Sequence, residues 1–160
     1  MVPGIEPYLI RRARSTDVRE LADVLRAAYA PFVAEIADLP DVAAGLENDI
    51  SSHEVWIATH DDKILGGLVL GTHGDVAHLI NLAVHPDAGG AGLGRALIDQ
   101  GLAQARASGA TVINLATHVK MPKNVALYRH LGWKETAREG NKVFMSRSLS
   151  PDPSAPKTPK

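Results

Sequence analysis

Apolar residues recur along this chain with two periods, and the switches between them mark out strands and helices. Residues 8–13 read as a short strand. Thr16 or Asp17 then caps a helix in which Val18, Leu21, Leu25 and Ala28 fall at helical spacing, and Pro31 is expected to break it. Residues 41–50 form a weaker helical stretch that runs into a breaker at Ser51-Ser52. Residues 55–59 and 64–71 are strands joined by a turn at Asp61-Asp62, which makes a hairpin, and Val76–Val84 is a further strand. Leu93, Leu97, Ile98, Leu102 and Ala105 mark an amphipathic helix that stops at Gly109. After it come a strand over 111–117, a short helix over 124–131 ending at Gly132, and closing strands over 133–137 and 143–149. This order predicts an α/β fold, a mixed sheet of about seven strands with helices on both faces. Residues 76–117 form one strand-helix-strand crossover, so its two strands should be parallel neighbours.

The 160 residues suit one domain over 1–149. Residues 151–160 hold four Pro and two Lys, a composition that neither ladders nor packs, so 150–160 is expected to be a disordered tail. The 17 basic against 18 acidic residues leave a net charge of -1, with no basic field to draw in nucleic acid or an anionic membrane. No run approaches the ~20 apolar residues of a membrane span, and no signal sequence opens the chain, so a cytoplasmic protein is expected. Without Cys there are no disulfides, thiolate metal sites or Cys nucleophiles. The His spacing also argues against a metal. There is no H-x-H or H-E-x-x-H, and His78 and His85 have opposite strand parity.

Of the 14 Gly, eight fall between Gly66 and Gly94. Gly66, Gly67, Gly71 and Gly74 lie in or beside a hairpin strand and point to close packing or a bulge. Gly89, Gly90, Gly92 and Gly94 instead lie between a strand and a helix, in Gly89-Gly90-Ala91-Gly92-Leu93-Gly94-Arg95. Glycines there leave main-chain N–H groups uncovered where the helix dipole favours negative charge, which suits a phosphate. Two common phosphate motifs do not fit. A P-loop needs a Lys after its last Gly, and a dinucleotide fingerprint needs Gly where Arg95 stands.

The segment Asn81-Leu82-Ala83-Val84-His85-Pro86, followed by this loop, resembles the R/Q-x-x-G-x-G/A acyl-CoA signature of the GNAT acyltransferases. The stretch from Asn124 to Trp133 is similar to that family's N-x-x-A-x-x-L-Y-x-x-x-G-F/W region with a shortened interval, and the strand ending at Leu149 resembles its last strand. Together the similarities cover about residues 8 to 149. They imply the GNAT fold, with the fourth and fifth strands splayed so that the pantetheine arm of acetyl-CoA lies between them like an added strand.

The resemblance also implies roles. The main chain of Leu82, Ala83 and Val84 would take the pantetheine. The N–H groups from Gly89 through Gly90, Ala91, Gly92, Leu93 and Gly94 to Arg95 would take the pyrophosphate. Asn124 matches a cofactor-contacting position, and Tyr128 matches the general acid that protonates the departing thiolate. Two positions depart from the pattern. Gly89 stands where Arg or Gln is usual, which removes a donor to the phosphates unless Arg95 or Lys123 supplies one. No acid occurs between Val76 and Val84, where many relatives carry a Glu as base.

An amine of the lysine type, with a pKa of about 10.4, must lose a proton before it attacks a thioester. His78 shares a strand face with the Ile80 position, and a neutral imidazole can accept that proton. Arylalkylamine acetyltransferases of this superfamily also use His on this strand, so His78, or water, is the expected base. The resemblance places Tyr29, Phe32 and His118 at the acceptor cleft. It implies acetyl transfer to a primary amine of a small molecule or peptide, by direct attack in a ternary complex, and it allows a homodimer through late strands. The rival readings are a non-catalytic acyl-CoA-binding or regulatory module, and a nucleotide-binding α/β domain.

Overall fold

In the computed structural model, residues 8–39, 41, 43–89 and 92–149 are described. Gly90, Ala91 and the tail expected over 150–160 lie outside them. The strands are β1 (Leu9–Arg12), β2 (Glu54–His60), β3 (Lys63–His73), β4 (Val76–Val84), β5 (Val112–His118), β6 (Lys134–Glu139) and β7 (Lys142–Ser148). The helices are α1 (Val18–Val33), α2 (Leu46–Ser52), α3 (Leu93–Ala107) and α4 (Pro122–His130). All seven strands join one mixed sheet in the order β1-β2-β3-β4-β5-β7-β6. Its β4/β5 pair is parallel, as the crossover predicts, and the β1/β2, β2/β3, β5/β7 and β6/β7 pairs are antiparallel. Among the described residues no helix is long and apolar enough to cross a membrane.

The described residues group into two compact units, one drawn from those within 8–70 and 81–101, the other from those within 71–80 and 102–149. In the first, the α1 stripe of Leu21, Ala22, Val24 and Leu25 packs on Val55, Ile57, Val69 and Ala83 of the sheet and on Ala43 and Leu46. Burying each of these leucines stabilises the fold by roughly 1.5–3 kcal/mol. Gly66 and Gly67 let helices approach from opposite sides. A Cβ on Gly67 would stand 2.6 Å from Leu21 Cδ1, and one on Gly66 would stand 2.9 Å from the Ala83 carbonyl and 3.2 Å from Leu97 Cδ1 of α3. These two glycines are therefore packing residues, as their place in the hairpin suggests.

Three local expectations are corrected here. Pro31 lies inside α1, which runs on to Val33, because it sits in the last turn and removes only one hydrogen bond there. Ser51 and Ser52 do not break the second helix but end it from within, each hydroxyl donating to the Asn48 carbonyl at 2.9 and 2.6 Å. Asp17 precedes α1 without capping it. Its carboxylate accepts two hydrogen bonds from the Arg11 guanidinium, at 2.9 and 3.0 Å, and one from the Arg14 N–H at 2.7 Å.

In the second unit, Ile113 and Leu115 of β5 and Val143 and Met145 of β7 are buried on one sheet face. Trp133 is buried with them, its indole N–H donating to the Ile113 carbonyl at 3.1 Å. Tyr128 packs edge-on against that indole with ring centroids 5.6 Å apart. The opposite face of these strands carries Asn114, Ala116, Phe144 and Ser146, all half-buried or exposed.

Candidate active site

β4 has a double character along its length. Its ladder to β5 runs from Val76↔Val112 to Leu79↔Leu115, which is four of its nine residues, and stops there. The segment expected to take the pantetheine, Leu82 to Val84, lies beyond the end of that ladder. Ala83 is buried, and Leu82 and Val84 are half-buried. The His85 N–H donates to the Leu65 carbonyl at 2.7 Å, which ties the end of β4 to β3.

The His85 imidazole accepts a hydrogen bond from the Asp87 N–H at 3.1 Å, fixing the short turn Pro86–Ala88 ahead of the loop. Gly92 has a φ of 79°, a left-handed conformation that disfavours any residue with a Cβ. The first helical bond of α3 runs from the Ala96 N–H to the Gly92 carbonyl at 3.0 Å. The N–H groups of Leu93, Gly94 and Arg95 precede it, and among the described residues they meet no acceptor. Three clustered donors at the N-terminus of a 15-residue helix suit a phosphate. Arg95 itself is drawn to Asp99, with N···O 3.6 Å across an exposed pair.

Gly89 is a different case. Its φ of -62° is open to any residue, and among the described residues a Cβ there would meet only the Pro86 carbonyl, at 3.3 Å. The backbone therefore does not demand glycine at the position where the family signature has Arg or Gln.

Tyr29, expected at the acceptor cleft, is anchored to β4. Its hydroxyl donates to Asn81 Oδ1 at 3.1 Å, with the Leu82 carbonyl at 3.4 Å. Burial pushes its phenol above the ordinary value. Phe32 packs edge-on against it, ring centroids 6.4 Å apart.

In the second unit His78 and Ile80 are exposed on one face of β4, while Ala77 and Leu79 are buried on the other. Asn124 stands in the first turn of α4, its amide 3.9 Å from the weak acceptor Met121 Sδ. Tyr128 is buried, so it is a core aromatic as well as the residue matching the family's acid. The His118 imidazole accepts from the Lys120 N–H at 3.0 Å, which stiffens the turn after β5. Among the described residues no group of three or more His, Asp or Glu could hold a metal ion.

Two features escaped the sequence reading. One is the Tyr29–Asn81 bond, which joins residues 52 apart in the chain. The other is Asn114, the Cα partner of His78 across the parallel pair. Asparagine is depleted in strands, and its place in the middle of 111–117 is the one local signal that marked it.

The sequence model of the acetyltransferase (GNAT) family matches residues 19–133. The fold is similar to that of the PaiA N-acetyltransferase from Thermoplasma acidophilum in complex with coenzyme A, at 18% identity and a TM-score of 0.78, covering 89% of this chain and 99% of that one. It is similar to the ribosomal-protein-S18-alanine N-acetyltransferase from Escherichia coli, at 20% identity and a TM-score of 0.75, covering 94% and 99%. An acetyltransferase of the GNAT family from Staphylococcus aureus Mu50 shares 20% identity with a TM-score of 0.76, covering 89% and 99%. The curated proteins give no match to the chain.

Proposed function

Because the chain belongs to the GNAT acetyltransferase family, with acetyl-CoA as co-substrate, we propose that it acetylates a primary amine of a small molecule or peptide by direct attack in a ternary complex. The observation that carries the reading is the set of N–H donors at Leu93, Gly94 and Arg95, just after Gly92, which meet no acceptor among the described residues. They would bind the pyrophosphate together with the loop from Gly89 through Gly90 and Ala91. The main chain of Leu82, Ala83 and Val84 would hold the pantetheine, and Asn124 would contact the cofactor.

The acceptor amine, once deprotonated, attacks the thioester carbonyl carbon. The C–N bond forms, the C–S bond breaks, and the thiolate leaves as CoA. In the proposed mechanism His78, or a water it orders, takes the amine proton, and the Tyr128 phenol protonates the thiolate. Exposure of His78 and the fixed ring of Tyr128 against Trp133 support these roles. The chain has no Cys to form a cysteinyl acyl-enzyme, which favours direct transfer.

Tyr29, Phe32 and His118 are proposed to bound the acceptor. That acceptor is supported as an amine by the relative whose name gives a protein alanine as its substrate. The proposed location is the cytoplasm, where acetyl-CoA is at hand. A homodimer belongs to the proposal only through a surface other than the β6 edge, because β6 is bulged at Glu135/Ala137 and carries Lys134, Glu135, Arg138 and Glu139.

Calorimetry with CoA, alongside ATP and NAD, tests the cofactor assignment, with CoA expected to bind. Binding of ATP or NAD without CoA would contradict it. Retention of full turnover by both His78→Ala and Tyr128→Phe would overturn the assigned roles. An acyl-CoA-binding module would bind CoA and release none in response to amines.

A further inference from the structure

We infer that the acceptor carries a carboxylate in addition to its amine, recognised by Asn114, Ser146 and Lys134 in a row that begins at His78; this rests on the acetyltransferase reading above. The row follows from strand register. His78 of β4 pairs with Asn114 of β5, Asn114 with Ser146 of β7, and Ser146 with Lys134 of β6. Side chains of directly paired residues stand on the same face, and neighbouring strands are about 4.8 Å apart, so the four form a line across the sheet about 14 Å long. His78 and Lys134 are exposed, and Asn114 and Ser146 are half-buried.

Folding does not account for this line. Asn114 sits mid-strand in a sheet interior, between the buried Ile113 and Leu115, where a β-branched or aromatic residue packs better. Among the described residues neither its amide nor the Ser146 hydroxyl has a hydrogen-bond partner. Every side chain in the row can donate a hydrogen bond, and none is a carboxylate. Glu135 is paired with Met145 on the other face and is engaged by Arg138 at 2.7 Å, and Glu139 lies opposite Lys142 toward the far end of the hairpin. Beside the polar row runs an apolar one, Ala116, Phe144 and Ala137, with Ile80 on the same face of β4. Its apolar surface lowers the local dielectric and strengthens a charge-assisted bond next to it.

Lys134 supplies the positive charge, and Asn114 and Ser146 supply neutral donors. That complement matches an anionic oxygen pair better than a polycation such as a polyamine, for which the row offers no anion. The spacing sets a scale as well. A dipeptide reaches at most ~7 Å end to end, between one and two strand spacings, so an amine near His78 leaves its carboxylate opposite Asn114 and Ser146.

The test compares glycylleucine with glycylleucinamide, which share the amine and differ in the carboxylate. The expected result is a kcat/KM at least about tenfold higher for glycylleucine in the wild type, with the ratio falling several-fold toward one in Asn114→Leu and in Lys134→Glu. The Kd for CoA stays unchanged in both variants. Lys134 lies on an exposed edge strand, so its variant keeps the test valid should Asn114→Leu fold poorly, and Ser146→Ala provides a third. Equal use of the two peptides by the wild type, or an unchanged ratio in the folded variants, overturns the inference and leaves acetyl transfer standing. Failure of the wild type to release CoA with any amine overturns the transferase reading and this inference with it.

Discussion

Gly89 and Tyr29 show how single positions tune the proposed site. Since Gly89 has an unrestricted φ, Gly89→Arg can be accommodated and would restore the side-chain donor of the family signature. A charge-assisted hydrogen bond contributes about 1.5–3 kcal/mol, part of it spent on ordering the side chain, so the Kd for CoA should fall roughly fivefold to tenfold by calorimetry. An unchanged Kd would mean that the phosphates lie elsewhere. Tyr29→Phe removes the hydroxyl that holds Asn81. Because that hydroxyl also lies beside the Leu82 carbonyl, the KM for acetyl-CoA should rise a few-fold along with the acceptor KM, and an unchanged KM for acetyl-CoA would show that the bond does not support the cofactor strand. Its phenol is raised by burial, so its contribution to stability is fully present below about pH 10, the ordinary phenol value, and is lost as pH rises through the folded value.

At the scale of elements, the short strand β1 and the entry to α1 are joined by the Arg11–Asp17 pair. The Arg11 hydrogen bonds, followed by the Arg14 N–H, hold the Asp17 carboxyl below the usual carboxylate range. A depressed carboxyl contributes stability that is present above its unfolded pKa, about 3.9, and is lost as pH falls through the folded value. Asp17→Asn should therefore cost about 1–3 kcal/mol in denaturant unfolding at pH 7, and the gap to wild type should close below about pH 4. A gap that stays constant with pH would show that the pair contributes packing alone. Gly67→Ala should destabilise by about 1–3 kcal/mol, because its Cβ would enter the space of Leu21 Cδ1.

The elements were legible in the sequence wherever periodicity or a turn residue was local. Val76–Val84 matches the expected strand residue for residue, and Gly109 and Gly132 end their helices with φ of 89° and 105°. Pro31, Ser51 and Ser52 misled because a breaker within the last turn of a helix costs little more than the fraying already there.

For the whole molecule, one chain order predicts the mixed sheet, because a strand-helix-strand crossover has a single favoured hand and the hairpins pair with their neighbours. Register across strands is a different matter. Nothing local in 111–117 and 143–149 says that Asn114 faces His78 on one side and Ser146 on the other, so the polar row emerges only once the ladders are known. The proposed cofactor loop stands out in the sequence because its donors are contiguous. The proposed acceptor row does not stand out, because its members lie on four strands.

The central claim is acetyl transfer from acetyl-CoA to an amine with Tyr128 as the acid. The most direct measurement is the initial rate of CoA release from acetyl-CoA across a panel of amines, in the wild type and in Tyr128→Phe. The account predicts amine-dependent release that falls by about a hundredfold or more in Tyr128→Phe, the range of a lost general acid, while the Kd for CoA is unchanged. Amine-dependent release at the same rate in both proteins would contradict the role of Tyr128, and CoA binding with no amine-dependent release would contradict the transfer itself.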